Sequence, residues 1–129
     1  MADVHSGGVP DTQDAAERGT LDVRAAAIEH LAEHIAQGVP GTVTHRSGLD
    51  KLRGRGFPNA QVTIRGAASW ITLEIAVAWP GPVEKIAAHV RDQVRADTSR
   101  LSGSQVRRVD VTVHVLTADQ FETTERRVR

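Results

Sequence analysis

The sequence predicts an α+β fold: a two-layer sandwich with a mixed, mostly antiparallel sheet and two helices on one face, in a split βαβ-like plan. Three observations predict it. Residues 24–37 and 83–101 repeat apolar side chains at helical spacing. Residues 61–65, 70–79 and 106–116 alternate apolar and polar side chains with period two. Gly and Pro lie between these segments and not within them.

In chain order, residues 1–19 are polar, carry Asp3, Asp11, Asp14 and Glu17, and lack periodicity. They read as a disordered leader. Thr20-Leu21-Asp22-Val23 alternates and suits a short edge strand. Arg24 to Gln37 reads as the first helix, with Ile28, Leu31, Ala32 and Ile35 on its apolar stripe. Gly38 can take a left-handed cap, and Pro40 forbids continuation. A brief strand is expected near Val43. Ser47 to Asn59, rich in Gly and Arg, reads as a mobile loop.

Gln61–Arg65 and Trp70–Trp79 are expected to form a hairpin with its turn at Gly66 to Ser69. On the long strand Ile71, Leu73, Ile75, Val77 and Trp79 share one face, which places Trp79 in the core. Trp70, Thr72, Glu74, Ala76 and Ala78 share the other. Pro80-Gly81-Pro82 breaks the strand, and Pro82 suits the first position of the second helix. That helix has a stripe of Val83, Ile86, Ala87, Val90 and Val94, continued by Leu101, and ends at Gly103. In the last strand, Val106 to Leu116, Val109, Val111, Val113 and Val115 face one way; Asp110, Thr112 and His114 face the other. Residues 118–129 read as a charged flexible tail, so the single domain spans residues 20–117. The helices should cover Val62, Ile64, Leu73 and Val111. Arg65, Glu74, Asp110, Thr112 and His114 then lie on an open face.

Composition narrows the function. The chain has 129 residues, one domain's worth. Hydrophobic residues make up 40% and charged residues 25%, a composition that folds. Sixteen basic and sixteen acidic residues cancel, so the total gives no sign of a strongly basic nucleic-acid binder. Without cysteine there is no disulfide scaffold, zinc ribbon, iron–sulfur site or thiol chemistry. No signal-peptide pattern is visible, and no apolar run reaches the roughly 20 residues of a membrane helix. The expected location is cytoplasmic, with any membrane association made through a partner.

Several side-chain groups invite a chemical reading. His30-Leu31-Ala32-Glu33-His34 spells H-x-x-E-H, and its two histidines lie one helical turn apart, as two zinc ligands would. Leu31 and Ile35 mark the buried side, however, which puts His30, Glu33 and His34 on a solvated face. A dry, shaped cavity is missing there. Arg46, Lys51, Arg53, Arg55 and Arg65 form a basic patch opposed only by Asp50. The bland reading is a solvated loop. The sharper one is a small binding module that neutralises nucleic acid or anionic lipid. An RNA-recognition sheet would need aromatics on its open face, and only Trp70 is there. Glu74, Asp110 and His114 could form an acid–base cluster, but their alternation with Thr72 and Thr112 is what a solvent-facing sheet shows. No Ser sits in a Gly-x-Ser-x-Gly elbow.

An ordered set of motifs adds a resemblance. Gly19-Thr20-Leu21-Asp22-Val23 is followed by Ile28 to Ala36, then Val39-Pro40-Gly41-Thr42-Val43. Val62 and Ile71 to Val77 come next, then Trp79-Pro80-Gly81 and Val83 to Val94. Leu101-Ser102-Gly103 and Val109-Asp110-Val111-Thr112-Val113 close the set. From Thr20 to Thr117 the chain thus resembles the alkaline-shock-protein family of bacterial envelope stress response proteins. It departs from the family in the Thr42 inserted into the V-P-G-V turn, in Pro80 where Tyr-Gly usually runs directly, and in its long Arg-rich loop.

The resemblance implies a small, cytosolic, non-catalytic protein of cell-envelope homeostasis. Some members self-associate and are held at the membrane by a small anchor protein, so self-association and docking to such a partner are the expected mode of action. The resemblance implies no enzyme, no cofactor, no metal and no small-molecule substrate. The residues expected to contact a partner or an anion are Trp70, Arg46, Arg53, Arg55, Arg65 and His114, with Trp70 the large apolar anchor.

Overall fold

In the computed structural model, residues 8–44 and 56–117 are described, with side chains from residue 15 onward. Arg46, Arg53 and Arg55 and the expected tail at 118–129 lie outside the described residues. The elements are α1 (Gly8–Gln37), β1 (Thr42–Val43), β2 (Asn59–Arg65), β3 (Ala68–Ala78), α2 (Val83–Ser102) and β4 (Gln105–Leu116).

The central strand is β3. Along one edge it pairs antiparallel with β2, from Asn59↔Glu74 to Arg65↔Ala68, and then with β1 at Thr42↔Val77 and Val43↔Ala76. Along its other edge it pairs parallel with β4 over its whole length, from Ala68↔Gln105 to Ala78↔Leu116. The β2–β3 turn has Gly66 first, with φ 60. A two-residue hairpin turn of the II′ type needs a positive φ at that position. The β3–α2–β4 unit is the crossover that a parallel pair requires.

Both helices lie on the face that carries Ile71, Leu73, Ile75 and Val77, each no more than 1% exposed. Ile28, Ala32 and Ala36 of α1 and Ile86, Val90 and Val94 of α2 close this core. The expected two-layer α+β sandwich is therefore present, with the open face on the expected side. After α2, Gly103 adopts φ 74, and its N–H donates to the Ser99 carbonyl at 3.1 Å, a left-handed cap. Pro82 sits one position earlier than expected: it is the N-cap, and its carbonyl accepts the Ile86 N–H at 3.0 Å.

Two expectations are corrected. Thr20–Val23 is not an edge strand, and residues 8–19 are not an unstructured leader: α1 runs unbroken from Gly8 to Gln37. Four alternating residues are a weak strand signal beside good helix formers such as Ala15, Ala16 and Ala25 to Ala27. Leu21, Ala25 and Ile28 prolong the helical stripe instead. A sheet place is also lacking, because α1 itself covers the outer edge of β2. As a result only one strand–helix–strand unit forms, not two. Trp79 is not core either, being 57% exposed. It stands past the end of β3, where its N–H donates to the Leu116 carbonyl at 2.8 Å, and the helical layer begins only at Val83.

One turn is held by close packing. Gly41 has φ 99, and a Cβ there would stand 2.5 Å from Ile86 Cδ1. Gly41→Ala is expected to cost about 1–3 kcal/mol through this overlap, with the φ penalty in addition. Urea unfolding of the variant against the parent measures it.

Candidate interaction surface

The two edges of the sheet are finished differently. The outer edge of β2 is closed by helix α1. The Ala60 N–H donates to Glu33 Oε2 at 2.9 Å, and the Val62 N–H donates to Glu29 Oε2 at 3.0 Å. The spacing explains the fit. Four residues of helix rise about 6 Å, and two residues of strand advance about 6.6 Å. Carboxylates at i and i+4 therefore match alternate N–H groups of a strand running alongside. A strand edge capped in this way offers no free donors at those positions to another chain.

This corrects the placement of Glu33, which was expected on the solvated face of α1. The stripe is centred on Ile28, Ala32 and Ala36, with Leu31 and Ile35 only partly buried. The centre is thereby turned toward Glu29 and Glu33, while His30 and His34 remain exposed. The signal was present in the sequence as two acids four apart, each next to a stripe residue. Among the described residues, no group of three or more His, Asp or Glu side chains is placed to hold a metal ion.

The β4 edge has no comparable cover among the described residues. Its start is irregular: a register shift falls at Ser69/Trp70, between Val106 and Arg108. A bulge and the charged Arg107 and Arg108 there oppose regular pairing. From Val109 to Leu116 the ladder to β3 is regular. The apolar side of β4 becomes steadily less covered along this stretch. Val109 is 6% exposed, Val111 and Val113 are intermediate, and Val115 is 44% exposed.

The open face carries the three expected contact residues that are described, Trp70, Arg65 and His114. Trp70 is 38% exposed, with Thr63 and Arg108 as register partners. Arg65, at the end of β2, is exposed on the same face. Toward the other end His114 Nε2 lies 2.8 Å from Glu74 Oε1, and the His114 ring packs against Phe57, tilted by 38° with centroids 4.6 Å apart. Ala76, the register partner of His114, is fully buried although it lies on the open face. This half of the sheet is thus partly covered at the His114–Phe57 pair. Sequence reasoning missed Phe57, whose only mark was being one of two phenylalanines. Asp110 does not join His114 and Glu74. It pairs with Arg108 at 2.8 Å instead. In place of a three-residue acid–base cluster there is a pair, 41% and 44% exposed, as suits the solvent-facing surface that was expected, and surface pairs of this kind contribute little energy.

On the helical side a cleft of about 640 Å³ lies between the end of α1 and α2, lined by His34, Val39, His89, Asp92 and Asp97 among others. The Gln93 amide, 2.6 Å away, and then Arg100 hold the Asp97 carboxyl below its usual range. No described helix is long and apolar enough to cross a membrane.

No family model matches the chain, and no curated protein does. Among solved structures it is similar to a MamM CTD variant in a zinc form. That match has 16% identity, covers 70% of this chain and 85% of the other, and gives a TM-score of 0.49. A MamM CTD variant in a manganese form matches with 19% identity, 70% and 98% coverage, and a TM-score of 0.48.

Proposed function

We propose that this protein is a non-enzymatic member of the alkaline-shock-protein family. It serves cell-envelope homeostasis from the cytoplasm by self-association and by docking to a small membrane-anchored partner. The observation that carries the reading is the asymmetry of the sheet. One edge is capped by Glu29 and Glu33, and the other leaves β4 unpaired among the described residues. An unpaired edge is a template for a further strand. The motif order from Ile28 to Val113 supports the family, and the zero net charge permits close approach of copies without net repulsion.

The reading is tested by purification of a tagged copy from native cells that also express an untagged one. The expected result is recovery of the untagged copy together with a small membrane protein. A lone tagged chain, monodisperse and monomeric in light scattering at high concentration, would contradict it.

A further inference from the structure

Self-association, as proposed above, leaves open which surface is used, and the choice of surface rests on that reading and deepens it. We infer that a second copy of this chain adds to the sheet at β4, antiparallel, with the two-fold axis at Thr112.

The backbone supplies the first argument. The Leu116 carbonyl accepts the Trp79 N–H, so Leu116 is turned toward β3. In a parallel ladder successive residues turn their polar groups to opposite sides. His114, Thr112 and Asp110 are therefore also turned toward β3. Val109, Val111, Val113 and Val115 present their N–H and C=O groups outward.

The second argument is self-complementarity, which a two-fold interface demands. The regular part of the strand reads Arg108-Val109-Asp110-Val111-Thr112-Val113-His114-Val115-Leu116, with Thr112 at its midpoint. A two-fold there sets Val111 opposite Val113 and Val109 opposite Val115. Each of these is an outward-turned pair able to exchange both backbone hydrogen bonds. On the apolar side the pairing is valine against valine, so the exposed Val115 gains a neighbour. On the open face Asp110 meets His114 twice and Thr112 meets Thr112. A carboxylate facing an imidazole, which can donate a hydrogen bond to it, and a Thr–Thr pair are favourable cross-strand neighbours.

Competing registers are worse. A two-fold at Asp110 opposes two carboxylates. One at Val111 sets Arg108 against His114. One at Val109 draws the bulge and Arg107 into the ladder. A two-fold at Val113 keeps within the regular edge but sets Asp110 against the apolar Leu116, so Thr112 is the centre at which the edge best matches a second copy of itself.

The chain has no cysteine, which makes the test direct. At the two-fold the Thr112 Cα atoms would be about 4.5 Å apart, within disulfide reach. The Asp110 Cα atoms would be offset by four residues, about 13 Å, and out of reach. Full-length Thr112→Cys and Asp110→Cys are each oxidised with glutathione disulfide in native buffer. Both positions are exposed, so both variants should keep the parent's circular dichroism. Thr112→Cys should form covalent dimer roughly tenfold faster than Asp110→Cys, since only its geometry suits the bond. In the unaltered chain, amide exchange at Val111 and Val113 should slow as concentration rises.

Equal rates at the two positions, together with exchange independent of concentration, would overturn the β4 pairing. If the unaltered chain still formed dimers or larger species by sedimentation, self-association would stand and this interface alone would fall. A chain monomeric at every concentration would remove both.

Discussion

Leu73→Ala is expected to lower the unfolding free energy by about 3–4 kcal/mol, within the range for emptying a leucine site in a core that cannot collapse. Leu73 is fully buried. Its register partners are Ala60 on β2 and Val111 on β4, so β3 is fixed by hydrogen bonds along both edges at this point. The backbone cannot move in to fill the space, and the helices above are held by their own contacts. Chemical denaturation measures the loss. The change should appear in the midpoint with little change in slope, as for a two-state domain. A loss below about 1 kcal/mol would mean that the helices do not close over Leu73 as described.

Replacing Glu29 and Glu33 together by Ala should cost about 3 kcal/mol. Hydrogen bonds to charged groups contribute about 1.5–3 kcal/mol each, and partial exposure of both carboxylates places these toward the lower end. The loss has a second consequence. It frees the Ala60 and Val62 N–H groups, so the β2 edge becomes a template as well as the β4 edge. The double variant should therefore exchange those two amides faster and aggregate at concentrations where the parent does not. Glu29→Gln with Glu33→Gln keeps an acceptor at each position and should recover part of the stability. If the Ala and Gln variants were equally stable, the two carboxylates would not be capping the strand.

Segments whose pattern repeats over many residues are legible in the sequence, although Leu101, expected to continue the α2 stripe, is 56% exposed and Thr98 is the buried residue of that last part. The stripe of α2, the hairpin around Gly66 and the alternation of β3 and β4 each have enough residues for periodicity to decide the element. Thr20–Val23 failed because four residues fit either period, and the decision belongs to the neighbours: a helix upstream and no free sheet edge. Trp79 failed for a related reason. Alternation assigns a face but cannot tell where the covering helix begins, and α2 begins four residues later.

The contact residues divide the same way. Trp70, Arg65 and His114 lie on the open face because strand alternation puts them there. The partnering of His114 with Glu74 and Phe57 depends on how segments distant in sequence are laid side by side, whereas Asp110 meets Arg108 two residues away on its own strand. The caps formed by Glu29 and Glu33 depend on a match between helix and strand spacing that appears only once α1 is laid beside β2.

One edge of this sheet is capped by its own helix at Ala60 and Val62, and we propose that the other takes a second copy. Sedimentation equilibrium of the full 129-residue chain, from micromolar to high micromolar concentration, tests it most directly. The expected result is an average mass that rises with concentration from the 13.9 kDa of one chain toward twice that value or beyond. A constant 13.9 kDa at every concentration would contradict it.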